Sequence, residues 1–176
     1  MTMPGLAGDE DTGGRLTHVD EHGKAHMVDI TGKAPTLRIA EARCSVLTTA
    51  DVSKVLADPA VGPGLLEAAR FSGILAAKQT SDLVPLCHPI RLDGVTVDVR
   101  QASDGFRIIA EAAITDRTGV EMEALTACSV AALVLLQPLL EVDPSTSIEG
   151  LTLWRKTGGR SGTWQRAGDG EMRAED

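Results

Sequence analysis

A stretch of twelve residues, numbers 78–89, combines side-chain types that suit acid–base chemistry on an anionic ligand. Lys78 falls at the end of a predicted helix, and Cys87 and His88 precede Pro89 in a proline-stiffened loop. Histidine changes its charge near neutral pH more readily than other side chains, and lysine can hold an anion. Taken alone, Lys78 is also explained by the helix dipole, and His88 by a hydrogen-bonded loop.

Two carboxylates form the second candidate group, in residues 117–127. Glu121 and Glu123 lie where a predicted strand passes into a predicted helix. Residues i and i+2 do not share a helix face, but they share a face in extended chain. If Glu121 ends the strand, both carboxylates point into one pocket, where they suit proton transfer. They also fit an ordinary first helical turn.

A glycine-rich turn with two cations, residues 156–162, is the third candidate. Lys156 and Arg160 flank Gly158 and Gly159 after a predicted strand. The spacing is not that of a P-loop, so this segment alone is a weak phosphate motif.

Together the three segments indicate one protein family, because each resembles a long motif of that family. Lys-x-Thr-x-Asp-Leu-x-Pro-Leu-Cys-His-Pro, Thr-Gly-Val-Glu-Met-Glu-Ala-Leu-Thr-Ala and Lys-Thr-Gly-Gly-x-Ser-Gly resemble the motifs of the molybdenum cofactor biosynthesis protein C (MoaC) family. Leu16-Thr17-His18 and the residues 27–30 are similar to its opening. The resemblance runs from about Leu16 to Gly162.

This resemblance implies a ferredoxin-like homohexamer built from dimers, with active sites between subunits. The implied reaction converts 3′,8-cyclo-7,8-dihydroguanosine 5′-triphosphate to cyclic pyranopterin monophosphate and diphosphate. The implied partners are a purine-derived triphosphate and further copies of the chain, with no cofactor and no metal. Such chemistry needs cations for the phosphates and tuned acid–base groups for the rearrangement.

The resemblance also assigns roles to individual residues. Asp29 is implied as a supporting carboxylate. The catalytic groups that it implies are Lys78, His88, Glu123 and Lys156. The substrate-binding groups that it implies are Lys33, Arg38, Leu86, Cys87, His88, Glu121, Met122 and Glu123.

One block of the family pattern is replaced. Where the family has Tyr-Asp-Met-Cys-Lys, this chain has residues 136–140, with Gln137 in place of the Asp and Leu140 in place of the Lys. Pro138 is predicted to kink or end the helix, because its ring clashes with the carbonyl of Val134. A further family lysine falls near Gly62. Three expected catalytic groups are therefore missing, while the substrate-holding motifs remain.

Three hypotheses follow for function. The chain performs the family reaction or a related one with its surviving groups, or it is a non-catalytic subunit that assembles with an active paralogue. A third hypothesis is a metal site at His18, His22 and His26, whose spacing suits a helix, although Gly23 and the polar setting disfavour one.

The elements that position these residues follow from periodicity. Strands are predicted at 36–48, 91–101, 105–116 and 147–155, and helices at 50–57 (with Thr49 as N-cap), 65–78 and 120–136, while 81–89 is a predicted loop. Taking the first two helices as one unit gives βαββαβ, an α+β ferredoxin-like fold with an antiparallel sheet and helices on one face. Residues 15–164 form the predicted domain, and 1–14 and 165–176 are predicted disordered tails.

The composition disfavours some classes of binding partner. A net charge of −8 and only two Phe, two Trp and no Tyr disfavour a nucleic-acid binder. The apolar run 124–136 is too short for a membrane span, and the odd number of cysteines fits a reducing cytoplasm. A helix that is apolar on nearly every face predicts a homo-oligomer.

Overall fold

The computed structural model describes residues 18–20 and 22–167. The predicted tail 1–14 and most of the predicted tail 165–176 lie outside these residues. The strands are β1 (Thr36–Leu47), β2 (Gly94–Ala102), β3 (Gly105–Asp116), β4 (Ser147–Thr157) and β5 (Trp164–Gln165). The helices are α1 (Val52–Ala57), α2 (Leu65–Lys78), α3 (Thr80–Leu83) and α4 (Glu121–Val142).

The sheet is antiparallel with the strand order β2-β3-β1-β4-β5. Its first four strands connect in the order of a ferredoxin-like fold, and α2 and α4 pack on one face. The predicted α+β class is therefore confirmed.

Alternation along β1 and β3 explains why helices cover only one face. Ala40, Ala42, Cys44 and Val46 are buried, as are Phe106, Ile108 and Ala110 on β3, whereas the residues between them are mostly part-exposed. Side chains of a strand alternate between faces, so one face of each strand meets the helices.

Small residues let α2 and α4 approach closely. A Cβ atom at Gly73 would lie 2.8 Å from the carbonyl oxygen of Ala127 and 3.3 Å from the Cβ of Ala131. Ala69, Ala76 and Ala77 are also buried on α2. The small residues of α2 therefore allow this close contact with α4.

The predicted end of α4 is wrong, because the helix continues past Pro138 to Val142. Leu135 and Leu139 are fully buried on either side of the proline, and their burial holds the last turns against the sheet. Asp143 then caps the helix and accepts hydrogen bonds from the hydroxyls of Thr48 and Thr49.

Three smaller predictions also need correction. Asp51, not Thr49, caps α1, and its carboxylate accepts from the amides of Ser53 and Lys54. The predicted loop 81–89 begins inside the short helix α3. Gln165, predicted to begin a tail, instead pairs with Arg155 in β5.

Among the described residues, one helix, α4, is long and apolar enough to cross a membrane. Here it is the central core helix: Ala124, Ala127, Cys128, Ala131 and Ala132 are fully buried, and it packs on β1, β3 and β4. The protein core therefore explains the hydrophobicity of the buried face of α4.

Candidate active site

A hollow of about 240 Å³ opens where the sheet meets the N-terminal end of α4. Four parts of the chain form its walls: His18 with the segment 28–33, the start of β1, the loop after α3 and the β3–α4 junction. The lining residues are His18, Val28, Ile30, Lys33, Arg38, Leu86, Cys87, His88, Arg117, Thr118, Gly119, Glu121, Met122 and Glu123. We call this space the main hollow.

Both carboxylates line the main hollow, but not because of extended chain. The strand β3 ends at Asp116, and Glu121 is the first residue of α4. Glu121 instead folds back over Gly119, where a Cβ atom would lie 1.9 Å from a carboxylate oxygen of Glu121. A side chain at position 119 would therefore displace this carboxylate from its position.

Glu123 is the buried acid of the site. Its side chain is only 3% exposed. Burial raises the pKa of Glu123 from 4.5 to about 7, its own backbone amide opposes the rise, and the negative charge of Glu121 adds to it. A carboxyl group with a pKa near neutrality can both give and take a proton at cellular pH.

Lys156 reaches the site from β4. Its ammonium lies 3.2 Å from a carboxylate oxygen of Glu121, and both side chains are about one-third exposed. Lys156, Arg38 and Glu121 line a small adjoining hollow of about 20 Å³. Glu121 therefore lies between the main hollow and the cation of β4.

The loop after α3 contributes Leu86, Cys87 and His88, as the resemblance implies. The Cys87 amide donates to the carbonyl of Val84, which helps to fix the turn. Burial raises the pKa of the Cys87 thiol, and the charge of Glu123 adds to this rise. Cys87 is therefore a neutral, polar wall of the hollow at physiological pH.

Asp29 caps its own loop. It accepts from the amide and the hydroxyl of Thr31, which lower the pKa of Asp29. The turn brings Lys33 to the hollow, where Asp29 itself is not a lining residue. Asp29 therefore supports the site by fixing the geometry of the loop that carries Lys33.

Lys78 is not brought together with the other implied catalytic groups in a single chain. It is exposed at the end of α2 and lines neither the main hollow nor the small adjoining hollow. Gln137 and Leu140 are also exposed. At about 1.5 Å per residue, Gln137 lies roughly 21 Å along α4 from Glu123.

Gly62, near which the family lysine falls, lies directly against α1. A Cβ atom at Gly62 would lie 1.8 Å from the carbonyl oxygen of Leu56. The backbone would therefore have to shift to accept a side chain at this position.

Three polar lining residues were not among the predicted site residues: His18, Arg117 and Thr118. Their signal in the sequence was position, because His18 belongs to the opening motif, Thr118 starts the second motif and Arg117 directly precedes it. The metal hypothesis gains no support: within 18–20 and 22–167, no three His, Cys, Asp or Glu side chains form a possible metal site.

The chain is similar to known proteins of one family. Residues 27–159 match the family described as the MoaC family. A Mycobacterium bovis protein named cyclic pyranopterin monophosphate synthase 2 is 50% identical over 154 residues, which cover 87% of this chain and 92% of that protein. The cyclic pyranopterin monophosphate synthase of Streptomyces avermitilis is 48% identical, covering 87% and 91%. That of Novosphingobium aromaticivorans is 46% identical, covering 86% and 98%.

Proposed function

Because the chain belongs to the MoaC family of molybdenum cofactor biosynthesis, we propose that it converts 3′,8-cyclo-7,8-dihydroguanosine 5′-triphosphate to cyclic pyranopterin monophosphate and diphosphate, slowly. The observation that carries this proposal is the buried carboxyl of Glu123, which lines one hollow with His88 and several cations.

Acid–base chemistry is assigned to Glu123 and His88. The pKa of Glu123, about 7, leaves comparable amounts of its acid and its base near neutral pH. The rearrangement needs protons to be removed and returned as rings open and close, and a group in both forms serves both steps. Burial keeps bulk water away from that proton.

Phosphate binding is assigned to the cations around the hollow. Arg38 and Lys33 line it from one side, and Lys156 approaches from β4. Arg38 is suited to bidentate contacts with phosphate oxygens, and Lys156 to a compact charge. Leu86, Cys87 and Met122 bound the remaining space, where the purine-derived ring system would lie.

A low rate follows from Gln137 and Leu140. These positions lie about 21 Å and about 25 Å along α4 from Glu123, so the family's Asp and Lys belong to the site of a neighbouring subunit. We propose a cytoplasmic homohexamer built from dimers, with Lys78 reaching a hollow across a subunit boundary. Each site then lacks two groups that its neighbour would have supplied.

A second candidate is a binding subunit that assembles with an active paralogue. The observation that favours it is the division along α4: the N-terminal end keeps Glu121 and Glu123, while the C-terminal end has Gln137 and Leu140 in place of the family's Asp and Lys. In a mixed oligomer, a complete subunit would supply the Asp and Lys to the main hollow of this chain. Co-expression with a complete family member would then give mixed oligomers and pterin formation at this chain's sites.

The test of the principal proposal is turnover of enzymatically generated 3′,8-cyclo-7,8-dihydroguanosine 5′-triphosphate by the purified protein. The expected result is slow, equimolar formation of cyclic pyranopterin monophosphate and diphosphate. Glu123→Gln should reduce this rate by about 10²-fold or more, because it removes the titrating group. Absence of both products after many hours, with substrate binding intact, would leave the binding-subunit candidate.

A further inference from the structure

Two thiols meet in the protein core between β1 and α4, outside the candidate active site. The Sγ atoms of Cys44 and Cys128 lie 3.3 Å apart. Both residues are free cysteines, and both are fully buried. Neither of them lines the main hollow, and the proposed reaction makes no use of the pair.

Small neighbouring residues allow α4 to lie close enough to β1 for this contact. Ala42 shares a face of β1 with Cys44, and Ala124 and Ala131 lie about one turn before and after Cys128 on α4. All three alanines are fully buried. Larger side chains at these positions would hold the helix further from the strand, so the alanines bring the two sulfur atoms together.

The surroundings keep the Cys128 thiol protonated in the closed fold. Its sulfur lies within hydrogen-bond distance of the Cys44 sulfur and 3.7 Å from the carbonyl oxygen of Ile108. The hydrogen bond with Cys44 raises the pKa of the Cys128 thiol well above its ordinary value, and burial adds to this rise. Because the thiolate is the reactive form, Cys128 reacts only when α4 opens locally from the sheet.

We propose that Cys44 and Cys128 form a redox modification site, a dithiol that a small peroxide oxidises to a disulfide joining α4 to β1. The two sulfur atoms must approach by about 1.3 Å to reach the length of a disulfide bond, which is about 2.0 Å. In a reducing compartment the resting form is the dithiol, and the disulfide forms on exposure to peroxide.

The reaction is a two-electron oxidation in which hydrogen peroxide is reduced to two molecules of water. One thiol loses its proton, and its sulfur attacks a peroxide oxygen. The O–O bond breaks, a sulfenic acid forms, and the departing hydroxide takes up that proton as water. The sulfur of the second thiol then bonds to the sulfenic sulfur. The S–O bond breaks, and the hydroxide leaves with the second proton as water.

The disulfide would hold α4 on the sheet. It joins two residues that are 84 positions apart in the chain. On α4 the link lies about 7.5 Å along the helix from Glu123. A cross-link over so long a loop lowers the conformational entropy of the unfolded chain, so oxidation is expected to stabilise the folded protein.

The test treats the folded full-length protein and its Cys87→Ala variant with hydrogen peroxide. The variant keeps only the two core thiols, so the more exposed Cys87 cannot contribute. Remaining thiols are alkylated in denaturant before mass spectrometry. We expect an intact mass lower by two hydrogen atoms in the variant, and in both proteins a proteolytic fragment that links Cys44 to Cys128. We also expect a rise in Tm of about 5–10 °C that dithiothreitol reverses.

The double variant Cys44→Ala/Cys87→Ala is the matched control. It keeps Cys128 without a partner, so peroxide should produce neither a linked fragment nor a rise in Tm. The linked fragment is also sought in the unaltered protein, so the result does not depend on the folding of a variant.

Recovery of both core cysteines as alkylated thiols after prolonged treatment would overturn the proposal. Oxidation of either one to a sulfinic acid without a link, or a link that forms only in urea, would overturn it as well. A linked protein with an unchanged or lower Tm would show that the disulfide does not join α4 to β1 in their native arrangement, and this result would also overturn it.

Discussion

Burial of the Glu123 carboxylate destabilises the folded protein but gives this group a pKa that suits proton transfer. A carboxylate that is removed from water is destabilised unless it is paired, and Glu121 beside it adds repulsion. Lys156 pairs with Glu121 instead. The buried acid is therefore held in an unfavourable setting by the surrounding fold, as is common for groups whose pKa is matched to a reaction.

This setting makes the stability of the protein depend on pH. Because the pKa of Glu123 rises from 4.5 to about 7 on folding, the folded state binds more protons between these values, and stability falls as pH rises through this window. Glu123→Gln removes the cost. It should stabilise the protein by about 1–3 kcal/mol at pH 8 and have little effect at pH 4.5.

Urea denaturation of both proteins at the two pH values measures this difference. Glu149→Gln, on an exposed strand position, is the matched control and should show no such pH-dependent gain. A Glu123→Gln variant that is less stable than the unaltered protein at pH 8 would mean that the carboxylate is ionised and well paired.

Lys156 provides a test of the phosphate site. Lys156→Ala should weaken binding of a purine nucleoside triphosphate analogue by about 10-fold or more, because it removes a charged donor beside Arg38. Lys54→Ala, on the exposed surface of α1, makes the same charge change with no site nearby and should leave the affinity unaltered. Lys78→Ala should also weaken binding if Lys78 reaches a neighbouring subunit's hollow. Unchanged affinity in both site variants would refute a shared cationic pocket.

The local motifs predicted which residues lie near one another, but they did not predict the contacts that bring these residues together. One hollow is lined by Leu86, Cys87, His88, Met122 and Glu123. The sequence could predict this grouping because the complete family motifs are present in the chain. The sequence could not show that Glu121 folds over Gly119, since this depends on a close approach within the β3–α4 junction. The sequence showed Arg160 only as a cation in a glycine-rich turn. The structure places it beside a hollow lined by residues 32–38, more than a hundred positions earlier in the chain.

Close approach of α2 and α4 is the main constraint at the scale of elements. Gly73→Ala adds helix propensity worth about 1 kcal/mol, but the new methyl would meet the carbonyl of Ala127 at 2.8 Å. Overpacking costs about 1–3 kcal/mol, so we expect a net loss of about 1 kcal/mol. Thermal and urea unfolding measure it. Ser72→Ala, the neighbouring control, should be neutral or slightly stabilising, and a stabilised Gly73→Ala would show that the helices do not meet there.

Regular periodicity predicted the elements well where local signals and packing agree. The bounds of α2 and β3 match the predicted ranges, and β1 differs by one residue. The end of α4 was missed because a proline is a strong local signal, whereas the burial of Leu139 is a tertiary effect. The short helix α3 was missed because prolines at 85 and 89 dominate the reading of its loop.

Exposed apolar side chains on the helices favour association of several copies of the chain. Phe71 is 75% exposed, Leu133 52% and Val142 62%. A small monomer rarely leaves such residues grouped on its helices, and burial between copies would remove them from water. We expect a hexamer-sized species in light scattering at micromolar concentration. A monomer under these conditions would contradict both the oligomer and the assignment of sites between subunits.

We propose that this chain retains the substrate-binding site of its family but has lost part of the catalytic machinery. Loss of a general acid or base costs about 10²–10⁴ in rate, and loss of an electrostatic stabiliser about 10²–10³ more, although such losses are not strictly additive. Gln137 and Leu140 are exposed on a helix that continues through Pro138. The double variant Gln137→Asp/Leu140→Lys should therefore fold with stability within about 0.5 kcal/mol of the unaltered protein.

The decisive measurement is the rate of cyclic pyranopterin monophosphate formation at saturating substrate, for the unaltered protein, the double variant and a family member with the complete Tyr-Asp-Met-Cys-Lys block. We predict that the unaltered protein is at least about 10²-fold slower than the complete family member, and that the double variant recovers part of the difference. A rate for the unaltered protein equal to that of the complete family member would show that other residues carry the chemistry, and would contradict the division between retained binding and lost catalysis.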